Sequence, residues 1–260
     1  MRFNLPAIQL HSIFQLFLTL AASLFTLRVG AGLAAWRTAN QLEKPNYTVV
    51  RRLPIVPPSG RGRDIEVRKY EPYLIAETTT DESSMRKAGA VGFGRCAGYI
   101  FGKNQPRSQQ RRILGGNNGD ESEKMAMTAP VRMVGETGEK MAMTAPVRAS
   151  GSEKSGKTKV SFVIGSKYTL QTVPKPVDPN VQIRQVKGHY LAARTFSGPP
   201  PSDERVREER KILERTLEKE GIRISNKETM VYGYHDPVIT PNMLRKNEVA
   251  VMVDEKSIKN

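Results

Sequence analysis

The decapeptide Glu-Lys-Met-Ala-Met-Thr-Ala-Pro-Val-Arg occupies residues 123–132 and recurs unchanged at residues 139–148. Within each copy the side chains alternate. Met125, Met127, Ala129 and Val131 point one way and Ala126, Thr128 and Pro130 the other, and Met141 to Val147 repeat the arrangement, the period-two pattern of a half-buried strand. The chain therefore has to accommodate a methionine-lined strand face twice. Thioether side chains are unbranched and polarizable, so such a face fills an irregular core or lies against a large flat apolar ligand equally well. Both readings stand on sequence alone.

Around this unit the pattern predicts strands over residues 65–70, 73–78, 159–164, 181–186, 190–196, 230–234 and 248–253. Helices are predicted over residues 84–101 and 202–220. The second is amphipathic, with Val206, Leu213 and Leu217 on one stripe, Ile212 beside it, Ser202 as cap and Gly221 as stop. The first contains Gly89, Gly92, Gly94 and Gly98, each costing about 1 kcal/mol relative to alanine in a helix interior. Either a bulky object lies against this backbone, with Val91, Phe93, Tyr99 and Ile100 as further apolar contact, or the glycines let the helix sit close on a sheet. The order strand, strand, helix, strands, then strands, helix, strands predicts two similar halves of an α+β domain rather than a parallel doubly wound sheet.

The 260 residues carry 41 basic and 26 acidic side chains, a net charge of +15. That balance attracts phosphates, anionic lipid headgroups or a carboxylate-bearing ligand. The basic residues are scattered, and neither a zinc-finger nor an RNA-recognition signature is present, so no nucleic-acid partner is expected. The single cysteine, Cys96, excludes a disulfide framework and a thiolate metal cluster. From Phe3 to Leu27 there is no charged residue. Residues 1–35 read as a removable targeting segment or, alternatively, a retained membrane anchor. Residues 36–62 read as a linker, 63–256 as the domain and 257–260 as a tail.

The run from Gly151 to Thr158 matches the phosphate-loop pattern G-x-x-x-x-G-K-[ST], which brings a nucleotide hydrolase into consideration. That mechanism needs the lysine and threonine to open a helix whose amides hold the phosphates. Here the β-branched, alternating residues 159–164 predict a strand instead. No hydrolase triad, paired-carboxylate site or histidine cluster can be assembled from His11, His189 and His235, so the chain reads as a binding module rather than an enzyme.

Six segments in order resemble the SOUL haem-binding proteins: Tyr99-Ile-Phe-Gly-Lys-Asn104, Met127-Thr-Ala-Pro-Val131, Pro174-x-Pro-x-Asp178, Phe196-Ser-Gly198, Tyr234-x-Asp-Pro237 and Arg245-Lys-Asn-Glu-Val249. The doubled Glu-Lys-Met-x-Met-Thr-x-Pro-Val unit is similar to plastid-targeted plant and algal members, some of which associate with plastid lipid droplets. The resemblance implies a distorted antiparallel β-barrel of two pseudo-symmetric halves flanked by two helices, and a noncatalytic pocket for haem or another tetrapyrrole. The site it implies lies between the first helix and the loop before the last strand. Phe93, Tyr99 and Ile100 would meet the macrocycle, and Arg95, Arg245 or Lys246 its propionates. The histidine that some animal members offer near the first strand is replaced by Arg63-Asp-Ile-Glu-Val67, leaving His235 as the nearest substitute and Met125, Met127, Met141 or Met143 as further conceivable ligands. A competing expectation is a structural protein at a plastid lipid-droplet or membrane surface that binds partners or anionic lipid.

Overall fold

A computed structural model of the chain describes residues 7–55, 64–82, 84–105, 123–136 and 158–258. The second decapeptide, with Met141 and Met143, and Gly151 to Lys157 lie outside the described residues. The elements in chain order are α1 (Ala7–Gln41), β1 (Tyr47–Leu53), β2 (Ile65–Tyr70), β3 (Tyr73–Thr80), α2 (Met85–Ile100), β4 (Asn104–Gln105), β5 (Val131–Glu136), β6 (Thr158–Val163), β7 (Lys175–Pro176), β8 (Val181–Val186), β9 (His189–Ser197), α3 (Asp203–Lys219), β10 (Glu228–Gly233), a 3-10 turn (Asn242–Leu244), β11 (Lys246–Met252) and α4 (Glu255–Ile258).

Nine of these strands form one antiparallel sheet in the order β1-β2-β9-β11-β10-β5-β6-β3-β8, while β4 and β7 pair apart. The order is symmetric about the β10–β5 junction: β10 corresponds to β5, β11 to β6, β9 to β3 and β2 to β8. Each half carries its helix on the same side, α2 on β3, β5, β6 and β8, and α3 on β9 and β11. The α+β class, the two halves and the two flanking helices all agree with the expectation from sequence. The sheet curls into a half-barrel, so that Tyr47 of β1 and Val163 of β6, far apart in strand order, line one cavity.

Alternation sorts the side chains between two faces. Outward, Ala192, Phe196, Val249 and Val251 meet Val206, Leu213 and Leu217 of α3. Inward, Leu191, Ala193 and Ala250 join Tyr70, Met230 and Tyr232 in a separate cluster. Because both faces are covered, β11 is buried over five successive residues, from Asn247 to Val251. Ser202 caps α3 by accepting from the Arg205 amide at 3.2 Å, and Gly221 follows with φ +69°, the left-handed stop that glycine adopts freely.

Two boundaries differ from the sequence reading. Residues 36–62 are not simply a linker, because β1 lies within them and pairs with β2 from Tyr47↔Tyr70 to Leu53↔Ile65. Its Val49-Val50 pair runs straight into Arg51-Arg52 and a proline, and as an edge strand it leaves most side chains accessible, which conceals the period. The first decapeptide is not itself a strand. It crosses the end of the sheet, the Met125 amide donating to Ile100 O at 2.8 Å and the Thr128 hydroxyl to Val163 O, and β5 begins only at Val131. Pro130, lacking an N–H, delays the ladder. Thr158 opens β6 rather than a helix, as its β-branched surroundings predict, so the geometry a phosphate loop needs does not follow Lys157.

Candidate functional site

The glycines of α2 divide into two kinds. A Cβ on Gly92 would stand 2.4 Å from Val160 Cβ and one on Gly89 2.8 Å from Met133 Sδ, so both positions let the helix rest directly on the sheet. A Cβ on Gly94 would meet nothing within 4 Å. Gly94 is exposed, and around it Val91, Phe93 and Phe101 are 45%, 37% and 55% accessible. Val91, Gly94, Gly98 and Phe101 follow one helical stripe, spanning about 15 Å at 1.5 Å per residue. The result is a shallow apolar ledge with a backbone floor.

Phe93 is held at one edge of the ledge by a T-shaped contact with Phe162, centroids 5.2 Å apart. Arg95 Nη1 lies 3.5 Å from Thr78 Oγ1 and from Thr79 O. The stem of Lys103 reaches the position a Gly98 Cβ would take, its Cδ 3.2 Å away, so this lysine packs along the end of the ledge. Tyr99 and Ile100 point the other way, into the core, with the Tyr99 hydroxyl donating to Pro174 O at 2.9 Å. Met125 is buried in that same cluster and Met127 packs against it, so the described methionine face fills core and is turned away from any surface ligand.

The other sequence-predicted residues gather elsewhere. His235 Nδ1 accepts the Lys246 amide at 3.0 Å, and its Nε2 is buried without a partner among the described residues. Burial first, then the charges of Lys44, Lys246 and Arg245, lower its pKa. Arg245 Nε donates to Thr240 O at 2.7 Å within its own loop. Lys246 turns to the inner face, its Nζ 2.9 Å from Glu248 Oε1 and 4.2 Å above the Tyr234 ring. The sheet thus separates Lys246 from the α2 ledge, and the structure does not assemble the two predicted groups into one pocket.

A family model described as SOUL heme-binding protein matches residues 42–137 and 133–252, which together run from β1 through β11. The chain belongs to the SOUL heme-binding protein family. No curated protein matches the chain. Among solved structures, similar folds include an uncharacterized conserved protein from Listeria innocua (12% identity, 75% of this chain and 94% of that one, TM-score 0.47) and a hydrolase from Listeria innocua (11%, 73% and 91%, TM-score 0.43). The C-terminal domain of EcmrR is a third (8%, 73% and 96%, TM-score 0.43).

For a SOUL protein the ledge fits a tetrapyrrole as an apolar plane with cations at its rim, Arg95 and Lys103 being the residues that would hold carboxylates. The residues fit an iron–protein bond poorly. Because His235 Nδ1 accepts a backbone N–H, the ring proton of the neutral imidazole sits on Nε2, which then has no lone pair for a metal. Cys96 is buried with Sγ toward Ala76 O and Val160 O, and burial pushes its thiol up to about 12, so a thiolate is not offered. Among the described residues no cluster of three or more His, Cys, Asp or Glu could hold a metal. Sequence reasoning named the α2 residues but not Gly94 as the open position. The available signal was phase, since Ala88, Gly92, Cys96 and Tyr99 share the buried side and Gly94 is half a turn away.

Proposed function

We propose that this SOUL-family chain carries haem or a related tetrapyrrole, noncatalytically and without an iron–protein bond, on the outer ledge of α2. The observation behind this reading is the open glycine floor at Gly94 beside exposed Val91, Phe93 and Phe101. At ~25 cal/mol per Å² of apolar area removed from water, micromolar affinity of about 8 kcal/mol needs roughly 330 Å² before association costs are met. A flat macrocycle covering the ledge with one face is of that order. The purified full chain, titrated with hemin and with protoporphyrin IX, is expected to shift both Soret bands at micromolar protein. Gly94→Leu, which places a side chain on the floor, should weaken both by at least about tenfold. Absence of any shift with either pigment overturns the proposal, and hemin bound far more tightly than the iron-free ring overturns the part concerning iron.

We further propose that the chain works at a plastid membrane or lipid-droplet surface. Within α1, an 18-residue window of Gln15–Gln41 has mean hydropathy 1.7, and Leu16, Phe17, Leu20, Leu24, Phe25 and Leu27 are all exposed. About 20 apolar residues suffice to span a bilayer, and the +15 charge favours anionic headgroups. A fluorescent fusion of the full chain should co-fractionate with plastid membranes or float with lipid droplets. A diffuse cytosolic signal removes this part.

A further inference from the structure

The inner face of the half-barrel holds a second space, on the opposite side of the sheet from the ledge. It is a cavity of about 90 Å³ walled by Tyr70, Tyr73 and Tyr232, with Arg132 in its lining and Lys44 and Lys246 also on its boundary. A cage of tyrosine rings commonly suits a cation. The charges here argue otherwise. Glu248, a buried carboxylate on this face, already accepts two bonds of 2.9 Å from Arg68, one of 2.9 Å from Thr195 and one of 2.6 Å from Tyr234, and pairs with Lys246 at 2.9 Å. Glu77 is paired with Arg184 at 2.8 Å.

Arg132 has no such neighbour. Among the described residues no carboxylate lies within ion-pair distance of it. Its Nη2 is 3.5 Å from Met230 Sδ and its guanidinium shares a hydrogen bond with the Tyr232 hydroxyl, while its Nε is buried without a partner among the described residues. Ser161, opposite Arg132 in the β5–β6 register, has a buried Oγ that is likewise unpartnered among the described residues. Burial raises the pKa of Tyr70, Tyr73 and Tyr232, so their hydroxyls stay protonated; that of Tyr232 donates to Met230 Sδ at 3.5 Å, and those of Tyr70 and Tyr73 are able to donate. A guanidinium desolvated without an anion is costly, and orphaned polar groups beside a cavity point to something that occupies it.

We infer that this cavity is a binding site for a small monocarboxylate, held by the Arg132 guanidinium fork and the tyrosine hydroxyls, with Lys44 and Lys246 drawing it in. The planar fork matches a carboxylate's two oxygens. Val163 and Pro130 offer the apolar lining for a short hydrocarbon body. An apolar cavity of about 150 Å³ takes benzene, so the space admits an acid of a few carbons and not a tetrapyrrole.

The test uses the full chain in non-ionic detergent, with calorimetric titration and thermal melts in propionate, methyl propionate, inorganic phosphate and tetramethylammonium. Propionate should bind and raise the melting temperature while the neutral ester does neither. Arg132→Met should weaken propionate by at least about tenfold yet leave the hemin Soret titration unchanged, which separates this site from the α2 ledge. If Arg132→Met does not fold, Lys44→Gln, which alters an exposed side chain, should weaken propionate about threefold and flatten its salt dependence. Stabilisation by phosphate or tetramethylammonium in preference to propionate overturns the proposal. So does propionate affinity unchanged in the variant that folds, or no response to propionate at millimolar concentration.

Discussion

Replacing Glu248 with glutamine tests the ion network that fills the inner face. Glu248 is fully buried, and Arg68, itself 1% exposed, meets it through two bonds and reaches Glu66 at 2.8 Å. Burial alone would raise the Glu248 pKa, but the Arg68 bond and charge outweigh it and hold the carboxyl at about 2, against an ordinary 4.5. At about 1.4 kcal/mol per tenfold change in proton affinity, this preference for the charged form is worth about 3 kcal/mol at neutral pH. Since the folded-state value is the lower one, that stability is fully present above pH 4.5 and disappears as pH falls towards 2. Glutamine keeps the size and one acceptor oxygen but leaves Arg68 with the partly exposed Glu66 as its one remaining carboxylate among the described residues, for which a cost of about 3 to 5 kcal/mol is expected. Urea unfolding of both proteins from pH 7 down to pH 2 measures both effects. The variant should lose roughly 3 kcal/mol at pH 7 and show a correspondingly shallower acid limb. Stability within about 0.5 kcal/mol of the parent at pH 7, or an unchanged acid limb, would refute the assignment of the network as a main support of the fold.

The two kinds of glycine in α2 should respond oppositely. Gly92→Ala puts a methyl group into Val160 and should cost about 1 to 3 kcal/mol, whereas Gly94→Ala adds one in open space and should gain about 0.5 to 1 kcal/mol, both read from thermal melts. Cys96, with its thiol held up to about 12 by burial, should resist iodoacetamide at pH 8 in the native protein and react once urea unfolds it, followed by mass spectrometry.

Local signals carried well where local physics decides the structure. Residues 181–186 form a strand as their alternation predicts, and α2 and α3 match their predicted spans to within a residue at each end. The misses arise where a distant part of the chain decides. β1 is a strand because β2 offers it an edge, and neither Val49-Val50 nor Arg51-Arg52 carries that information. The candidate site was half legible: the residues of α2 were named, but the direction each one faces depends on the sheet beneath. Phe93 looks out, and Tyr99, Ile100 and Met125 look in. Lys246, grouped with the ledge by sequence order, is turned away from it by the parity of β11, whose even-numbered residues face inward.

The inner charge network shows why period-two patterning leaves such parity unresolved. In Ile65-Glu-Val-Arg-Lys-Tyr70 the alternation of apolar Ile65 and Val67 with polar Glu66 and Arg68 is what a strand with one wet face would show. Yet Arg68 is among the least accessible side chains, because the face it occupies curls round on itself and Glu248, 180 residues away in sequence, supplies the compensating charge. A polar period records only that a face can tolerate polar groups. Water and a matched buried carboxylate satisfy that condition alike, and they are told apart by stoichiometry: inside a closed face each charge needs a partner. Arg68 and Glu248 meet that requirement with each other. Arg132, on the same face and with no carboxylate within ion-pair distance among the described residues, does not, and for that reason the inner cavity rather than the wider apolar surface is where an unassigned anion is most strongly implied.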